Sequence, residues 1–215
     1  MATAALFDFD GTLLTGTSGV DLLREFLHCS PISISQKARL AVAAIAYLGG
    51  VRNSWSTIDT LACMFRGARE SELEAIGQEA YSRCIKPRLK KTVIARFPLH
   101  RDQGDVIAVI SAGTSYVVTP FAKQFGIDHV ICTNLESIDG IVTGRLLNRC
   151  WGIEKLKAAQ EFATSLGISL EASHFYANSR DDVPLLDYVG HPHPVGTDRH
   201  LRRIARARDW EFLAT

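Results

Sequence analysis

The sequence predicts an α/β protein with an open parallel sheet and a helical segment inserted after the first strand. Short apolar runs over residues 4–7, 105–110 and 173–177 each end in polar residues. Amphipathic patterns of helical period lie between the later runs, as expected when crossover helices join parallel strands. Residues 15–97, between the first two runs, carry helical patterns alone.

The first strand is predicted to end in two carboxylates. Its apolar run leads into Asp8 and Asp10, and Gly11 and Thr12 follow at once. Because side chains alternate along a strand, the two carboxylates should lie on the same side, at the end of the sheet where ligands bind. Such a pair repels itself unless a cation or a shared proton intervenes, which favours Mg²⁺. A solvated Asp-Gly turn is the alternative.

Residues 15–97 are too long for an ordinary crossover connection, so we expect them to form a small all-helical domain over the strand ends. Residues 1–14 and 98–215 would then form the α/β domain. One inserted helix, over residues 36–48, is apolar on several faces and predicts the core of a small bundle. A membrane-surface helix is the alternative for that segment.

The later strands and helices also end or begin in polar residues. The strand over residues 105–110 leads into Ser111, whose hydroxyl and neighbouring backbone N–H groups could hold an oxyanion or cap a helix. Lys155 lies in the first turn of a helix predicted over residues 152–166, where a cation opposes the helix dipole unless it contacts an anion. Asn178 follows the strand over residues 173–177.

Two features are predicted for the rest of the chain. Asp139 and Gly140 indicate a hairpin turn between two short strands. The pattern near the C-terminus predicts a helix over residues 201–207, followed by an edge strand over residues 210–213.

Composition excludes several classes of function. The chain has 215 residues, 47% of them hydrophobic, and a net charge of +1 at pH 7, which gives no electrostatic case for nucleic acid. The longest apolar run, over residues 40–48, is too short to span a bilayer. The N-terminal residues lack a signal-peptide pattern, and five scattered cysteines without a CxxC pair predict reduced thiols, so we expect a cytoplasmic protein. His191 and His193 alternate, but their spacing recruits no further ligands and predicts no metal site.

Taken together, four motifs resemble the haloacid dehalogenase superfamily, in its phosphoserine phosphatase-like branch (subfamily IB). The motifs are Asp8-Phe9-Asp10-Gly11-Thr12, Ile110-Ser111-Ala112-Gly113, Gly152-Ile153-Glu154-Lys155 and Asn178-Ser179-Arg180-Asp181-Asp182-Val183-Pro184-Leu185-Leu186. The resemblance covers nearly the whole chain, and the helical insertion lies where that branch carries its cap domain.

The resemblance implies a Rossmann-like, doubly wound sheet and a Mg²⁺-dependent phosphatase acting on a small phosphate ester. Asp8 would attack phosphorus to give an aspartyl-phosphate, and Asp10 would act as general acid and then general base. The implied metal ligands are Asp8, Asp10, Asn178 and Asp182. The implied substrate-binding residues are Thr12, Thr17, Ser111, Ala112, Gly113 and Lys155, of which Ser111 and Lys155 are also catalytic.

Two positions depart from the family pattern. Relatives usually carry aspartate where this chain has Asn178, so Mg²⁺ should bind more weakly. The amide oxygen of Asn178 could still ligate the ion, or Asp181 could supply the missing carboxylate through water. Arg180 opposes metal binding if its side chain points inward. Phosphoserine phosphatases carry glutamate where this chain has Thr17, which argues against phosphoserine as substrate. A silent phosphoryl-ligand binder and a phosphotransferase are the alternative functions, and the sequence does not predict an oligomeric state.

Overall fold

The computed structural model describes residues 2–29, 59, 62–196 and 198–213. Its central feature is a six-stranded sheet with the spatial order β4-β3-β2-β1-β5-β6. The strands are β1 Ala4–Phe7, β2 Val106–Thr114, β3 His129–Ile138, β4 Ile141–Asn148, β5 His174–Ala177 and β6 His191–Pro194.

Strand β1 lies at the centre of the sheet and pairs in parallel with both β2 and β5, so that Leu6 lies between Ala108 and Phe175. The chain adds strands first on one side of β1 and later on the other, which places a topological switch point at the end of this strand. Strands β3 and β4 form the predicted antiparallel hairpin, with Asp139 and Gly140 at positive φ.

Alternate residues of β1 enter two different hydrophobic cores, one on each face of the sheet. Ala5 and Phe7 belong to the first core, and Ala4 and Leu6 belong to the second. All four side chains are fully buried. Helices cover both faces, so the predicted doubly wound α/β fold is confirmed.

The described residues between β1 and β2 form helices and turns. They comprise α1 Ser18–Cys29, α2 Glu70–Ala80, a π-helical turn Tyr81–Ile85, a 3₁₀ turn Lys86–Arg88, α3 Lys91–Ile94 and α4 Arg96–Gln103. The helix predicted over residues 36–48 lies outside the described residues. The predicted domain boundary at residue 97 falls inside α4, where the Phe97 ring packs 4.8 Å from that of Phe7. The division into two domains stays a prediction.

The remaining helices are α5 Ser115–Phe125, α6 Ile153–Leu166, α7 Val183–Tyr188 and α8 Arg199–Ala207. The edge strand predicted over residues 210–213 is not formed, because Leu213 alone of these residues pairs with the sheet, in a bridge to Val195. None of the described helices combines the length and the apolar character needed to cross a membrane.

Candidate active site

The motif residues meet at the carboxyl ends of β1, β2 and β5. Asp8 follows β1 directly, and its backbone N–H donates to the carbonyl of Tyr176 in β5 at 2.9 Å. The chain then turns tightly, since the amides of Leu13 and Leu14 both donate to the carbonyl of Phe9, at 3.0 and 2.9 Å. This turn holds the Asp8 side chain in the protein interior, with the residue 4% exposed.

Lys155, in the first turn of α6, links two carboxylates. Its Nζ lies 2.8 Å from Asp8 Oδ1 and 2.6 Å from Asp182 Oδ1, and its side chain is 2% exposed. Burial lowers the pKa of Lys155, but the carboxylates of Asp182 and Asp8 raise it by more, so the ammonium group stays charged. Burial raises the pKa of Asp182, an effect that Lys155 partly offsets.

Asp10 contacts the beginning of α1. Ser18 donates to its carboxylate twice, from the backbone N–H to Oδ1 at 2.7 Å and from the hydroxyl to Oδ2 at 3.1 Å. The residue is partly exposed, yet its carboxyl group is poorly hydrated, and this desolvation raises the pKa of Asp10 to about 7. The hydrogen bonds from Ser18 lower that pKa and the nearby charge of Asp8 raises it. Ser18 is not among the residues predicted from the sequence, although a serine at the start of a helical pattern is a recognisable signal.

Ser111 and Gly113 form the next part of the site. Strand β2 does not end at residue 110 as expected but continues to Thr114, and its register with β3 shifts between Ser111 and Thr114. The Gly113 N–H donates to Ser111 Oγ at 2.9 Å. A Cβ on Gly113 would lie 3.0 Å from Ser18 Oγ, 3.2 Å from Ser111 Oγ and 3.5 Å from Asp10 Oδ2, so the glycine leaves a small space among these oxygens.

Thr12 lies between Asp8, the candidate nucleophile, and Asn178, the residue of the last motif that differs from the family pattern. Its Oγ1 lies 3.0 Å from Asp8 Oδ2 and 3.1 Å from Asn178 Oδ1. One hydroxyl proton can serve one of these oxygens at a time. Asn178 also packs on Gly11, where a Cβ would meet the amide nitrogen at 2.1 Å, so this glycine is needed both for its φ of +79° and for space.

Arg180 does not oppose the site. Its side chain is 68% exposed, and its Nε lies 3.9 Å from Asp181 Oδ1. Asp182, by contrast, is buried beside Lys155. The inward-pointing arginine considered above is therefore not observed.

The donor set fits Mg²⁺. Asp8, Asp182 and Asn178 carry side-chain oxygens, which are ligands of the kind that this ion prefers, and the resemblance implies that the backbone carbonyl of Asp10 would add another. The carboxylates of Asp8 and Asp182 share the single ammonium group of Lys155. A divalent cation would balance the remaining negative charge of this buried cluster.

Thr17 is exposed and lines a cavity of about 380 Å³. The neighbouring charged residues of the cavity are Asp21, Arg24 and Arg88, and Arg88 forms an ion pair with Asp21. The residue that follows Thr17 in the chain, Ser18, contacts Asp10. The charged lining of the cavity suits a polar head group.

The fold and these side chains define an α/β protein with a candidate active site at the carboxyl ends of its central strands. The chain belongs to the haloacid dehalogenase-like hydrolase family, whose family model matches residues 5–187. The resemblance stated from the four motifs is thereby confirmed, and so is the prediction of a hydrolase.

Three curated relatives match almost the whole chain. An inhibition of morphological differentiation protein of Streptomyces azureus is 30% identical, over 98% of this chain and 78% of the relative. A phosphoserine phosphatase of Mycobacterium tuberculosis is 29% identical, over 99% of this chain and 70% of the relative. A histidinol-phosphatase of Neisseria meningitidis is 27% identical, over 99% of both chains.

Among solved structures, a protein of unknown function from Bordetella pertussis superimposes with a TM-score of 0.87. It is 28% identical, and the match covers 99% of this chain and 98% of that one. The overall fold is therefore shared with a protein of nearly the same length.

Proposed function

We propose that this protein is a Mg²⁺-dependent phosphatase that hydrolyses a small phosphomonoester through a phosphoryl group carried on Asp8. One observation carries the proposal. Asp8 is buried with one carboxylate oxygen on Lys155 and the other on Thr12, beside an aspartic acid, Asp10, whose pKa is raised to about 7. A held carboxylate next to an acid that titrates near neutral pH is suited to two-step phosphoryl transfer.

In the first step, Asp8 forms a bond to phosphorus while the bond from phosphorus to the leaving oxygen breaks. The hydrogen bonds from Lys155 and Thr12 orient the carboxylate for in-line attack and limit its movement. The protonated form of Asp10 donates its proton to the departing alkoxide, which leaves as an alcohol.

In the second step, the carboxylate of Asp10 takes a proton from water as that water attacks phosphorus. The bond between Asp8 and phosphorus breaks, inorganic phosphate leaves, and Asp10 is again protonated. Because its pKa lies near neutral, Asp10 can perform both transfers at one pH. Ser18 holds Asp10 in place between them.

Ser111, with the amides of Ala112 and Gly113, would bind the phosphoryl oxygens in the space that Gly113 leaves open, and the Gly113 N–H would exchange its bond to Ser111 Oγ for one to the substrate. Lys155 would offset the negative charge that Asp8 and the phosphoryl group bring together. When bound by Asp8, Asp10, Asn178 and Asp182, Mg²⁺ would supply further charge stabilisation. Asn178 contributes an oxygen without a charge, so we expect weaker metal binding than a carboxylate would give.

The substrate is proposed to be a small phosphomonoester other than phosphoserine. Thr17 lines the cavity where phosphoserine phosphatases are expected to carry a glutamate. The named relatives differ in substrate, phosphoserine in one and histidinol phosphate in another, so the family scaffold accepts more than one head group. Helices of the insertion border the cavity and would limit the size of that head group.

A second candidate is a phosphoryl-ligand binder that turns over slowly or not at all. Asn178 favours it, because loss of one carboxylate weakens the hold on the cation. This protein would be stabilised by a phosphate ester without hydrolysing it.

The test is hydrolysis of an aryl phosphate with Mg²⁺ by the wild type, Asp8→Asn and the control Asp187→Asn. Asp187 pairs with Arg208 at the surface, so this variant matches the charge change outside the site. We expect turnover in wild type and control, a loss of at least about 10³-fold in Asp8→Asn, and an acid-stable phosphoryl label on wild type and control but not on Asp8→Asn.

Equal rates in wild type and Asp8→Asn would overturn the proposed mechanism. Absence of turnover in both wild type and Asn178→Asp at saturating Mg²⁺, with a rise in melting temperature on adding the ester, would instead support the binder. Transfer of the label to added alcohols would indicate a phosphotransferase.

A further inference from the structure

A second group of polar side chains lies at the end of β5 that is remote from Asn178. His174 is the first residue of β5, and the strand register places His191 beside it and His193 beside Tyr176. From the neighbouring elements, α4 adds His100 and the residue before β2 adds Asp105. None of these side chains has a role in the phosphoryl site.

His100, Asp105 and His174 converge. Each offers one metal-ligating atom, and the three atoms lie within 4.8 Å of one another. They come from a helix, a strand and a residue that directly precedes a strand, so rigid elements position them. His100 is buried at 4% exposure, while His174 is partly exposed and leaves a path from solvent.

The polar atoms that point away from the cluster already have partners. His100 Nε2 lies 2.9 Å from the Tyr176 hydroxyl, while its Nδ1 lies inside the cluster, 2.7 Å from Asp105 Oδ2. The Thr3 hydroxyl donates to the other oxygen of Asp105. His174 Nδ1 lies 2.9 Å from His193 Nε2, which leaves its Nε2 for a ligand. Outer partners of this kind orient metal-binding imidazoles and carboxylates.

The protonation states also suit a cation. Burial lowers the pKa of His174 to about 4 and that of His193 to about 3, with neighbouring histidines adding to the effect, so both imidazoles are neutral at pH 7. Burial acts to raise the pKa of Asp105, but the hydrogen bonds with Thr3 and His100 lower it and outweigh the effect of burial. The carboxylate is therefore charged. Metals bind these forms.

We propose that His100, Asp105 and His174 form a binding site for Zn²⁺, distinct from the Mg²⁺ site, with water as the fourth ligand. Two imidazoles and one carboxylate form a donor set that favours zinc over Mg²⁺. The ion would lie between His100 Nδ1 and Asp105 Oδ2, in place of the direct contact between them.

The geometry requires small adjustments. Ligand atoms of a tetrahedral zinc lie about 3.3 Å apart. The pair His100 and Asp105 must therefore open slightly from 2.7 Å, and the widest separation must close from at most 4.8 Å. Rotation of the partly exposed His174 ring accomplishes the second change. A bound ion would join α4 and the start of β2 to β5 and would stabilise the fold.

The test uses the whole protein, freed of metal by a chelator and then placed in excess Mg²⁺, which keeps the phosphoryl site filled. We expect one equivalent of Zn²⁺ to bind. At a free Zn²⁺ concentration about a hundredfold above the dissociation constant, the thermal midpoint should rise by about 5–10 °C. Co²⁺ in place of Zn²⁺ should give the visible absorption of a tetrahedral ion.

His174→Gln should abolish the midpoint shift and the Co²⁺ spectrum. The matched control is His129→Gln, because the His129 ring packs on Phe162 away from the cluster. Asp105→Asn, which keeps a hydrogen-bonding group beside His100, provides a second variant if His174→Gln folds poorly, and should weaken Zn²⁺ binding at least about tenfold.

Failure of the wild type to bind Zn²⁺ in excess Mg²⁺ would overturn the proposal. So would unchanged binding by both His174→Gln and Asp105→Asn. Loss of Zn²⁺ binding in Asp8→Asn with retention in His174→Gln would place the ion in the phosphoryl site and would equally reject the second site.

Discussion

Lys155 and Asp182 form a buried ion pair, with Nζ 2.6 Å from Oδ1 and both side chains at most 3% exposed. The pair joins the first turn of α6 to the loop after β5, and Lys155 extends the connection to Asp8 after β1. Three separate parts of the chain thus meet on one ammonium group. We therefore expect both the candidate active site and the stability of the protein to depend on the contacts of Lys155.

Removing that ammonium group should destabilise the protein. Lys155→Met leaves Asp8 and Asp182 buried without a counter-charge, and we expect the free energy of unfolding to fall by about 3–5 kcal/mol. Urea denaturation without Mg²⁺ measures the change. Lys157→Met is the control, since its exposed pair with Glu154 should contribute within about 0.5 kcal/mol. Equal losses in both variants would contradict this role for Lys155.

Restoring a carboxylate at position 178 should strengthen metal binding. In Asn178→Asp we expect the Mg²⁺ concentration for half-maximal activity to fall about tenfold, because a charged oxygen replaces a neutral one. Without Mg²⁺ the same variant should be less stable than wild type, since a further carboxylate lies near Asp8. A metal titration of activity, paired with melting curves, tests both; an unchanged Mg²⁺ requirement would exclude residue 178 as a ligand.

The hydroxyl of Ser18 should set the pH profile. It donates to Asp10 Oδ2 and lowers the pKa of that carboxyl, so Ser18→Ala should raise the pKa above about 7 and extend activity to higher pH. The pH dependence of kcat is the measurement. Ser82→Ala, at an exposed hydroxyl of the π-helical turn, is the control and should leave the profile unchanged. A shift to lower pH in Ser18→Ala would contradict the assigned contact.

Gly11 should be more sensitive to substitution than other glycines at positive φ. Gly11 and Gly104 have φ of +79° and +82°, but only at Gly11 does an added Cβ meet a neighbour within 4 Å, the amide of Asn178. We expect Gly104→Ala to cost about 1 kcal/mol and Gly11→Ala clearly more, with a loss of activity. Comparable losses in stability would show that Asn178 moves aside freely.

The histidine cluster should make the metal-free protein sensitive to mild acid. The folded-state pKa values of His174 and His193, about 4 and about 3, lie below the ordinary value of 6.5. As the pH falls below 6.5, the unfolded chain takes up protons that the folded chain does not, so the free energy of unfolding decreases down to about pH 4. The charged or titratable neighbours are His100, Asp105, His191 and Arg96.

Denaturation in a chelator across this pH range measures that loss. Between about pH 6.5 and 4, His174→Gln should reduce the slope of the free energy of unfolding against pH, whereas His129→Gln should keep the wild-type slope. The comparison between variants separates the cluster from carboxylates elsewhere that also protonate in acid. An identical slope in wild type and His174→Gln would contradict the burial assigned to this ring.

Much of the candidate site could be predicted from the sequence. Asp8 and Asp182 follow β1 and β5, and Lys155 lies at a helix start; parallel strands direct such positions to one edge of a sheet. Ser111, expected after the end of β2, lies inside that strand. The contacts of Lys155 also explain why a lysine lies in a first helical turn. These inferences succeed because they depend on local pattern and on the topology that the pattern implies.

Other features depend on contacts that local pattern does not encode. The extension of β2 to Thr114 and the outward direction of Arg180 follow from pairing and packing around them. His193 meets His174 only because β6 pairs with β5 in one particular register. A one-residue shift of that register would turn the ring to the other face of the sheet.

The sequence by itself determined the class of fold, the family motifs and which polar residues end the central strands. Those properties follow from hydrophobic period and from residue order along the chain. Only the tertiary structure decided that Ser18 holds Asp10, that Thr12 lies between Asp8 and Asn178, and that histidines from α4 and β5 converge. Such contacts are fixed by strand register and side-chain packing, which bring together residues far apart in the sequence.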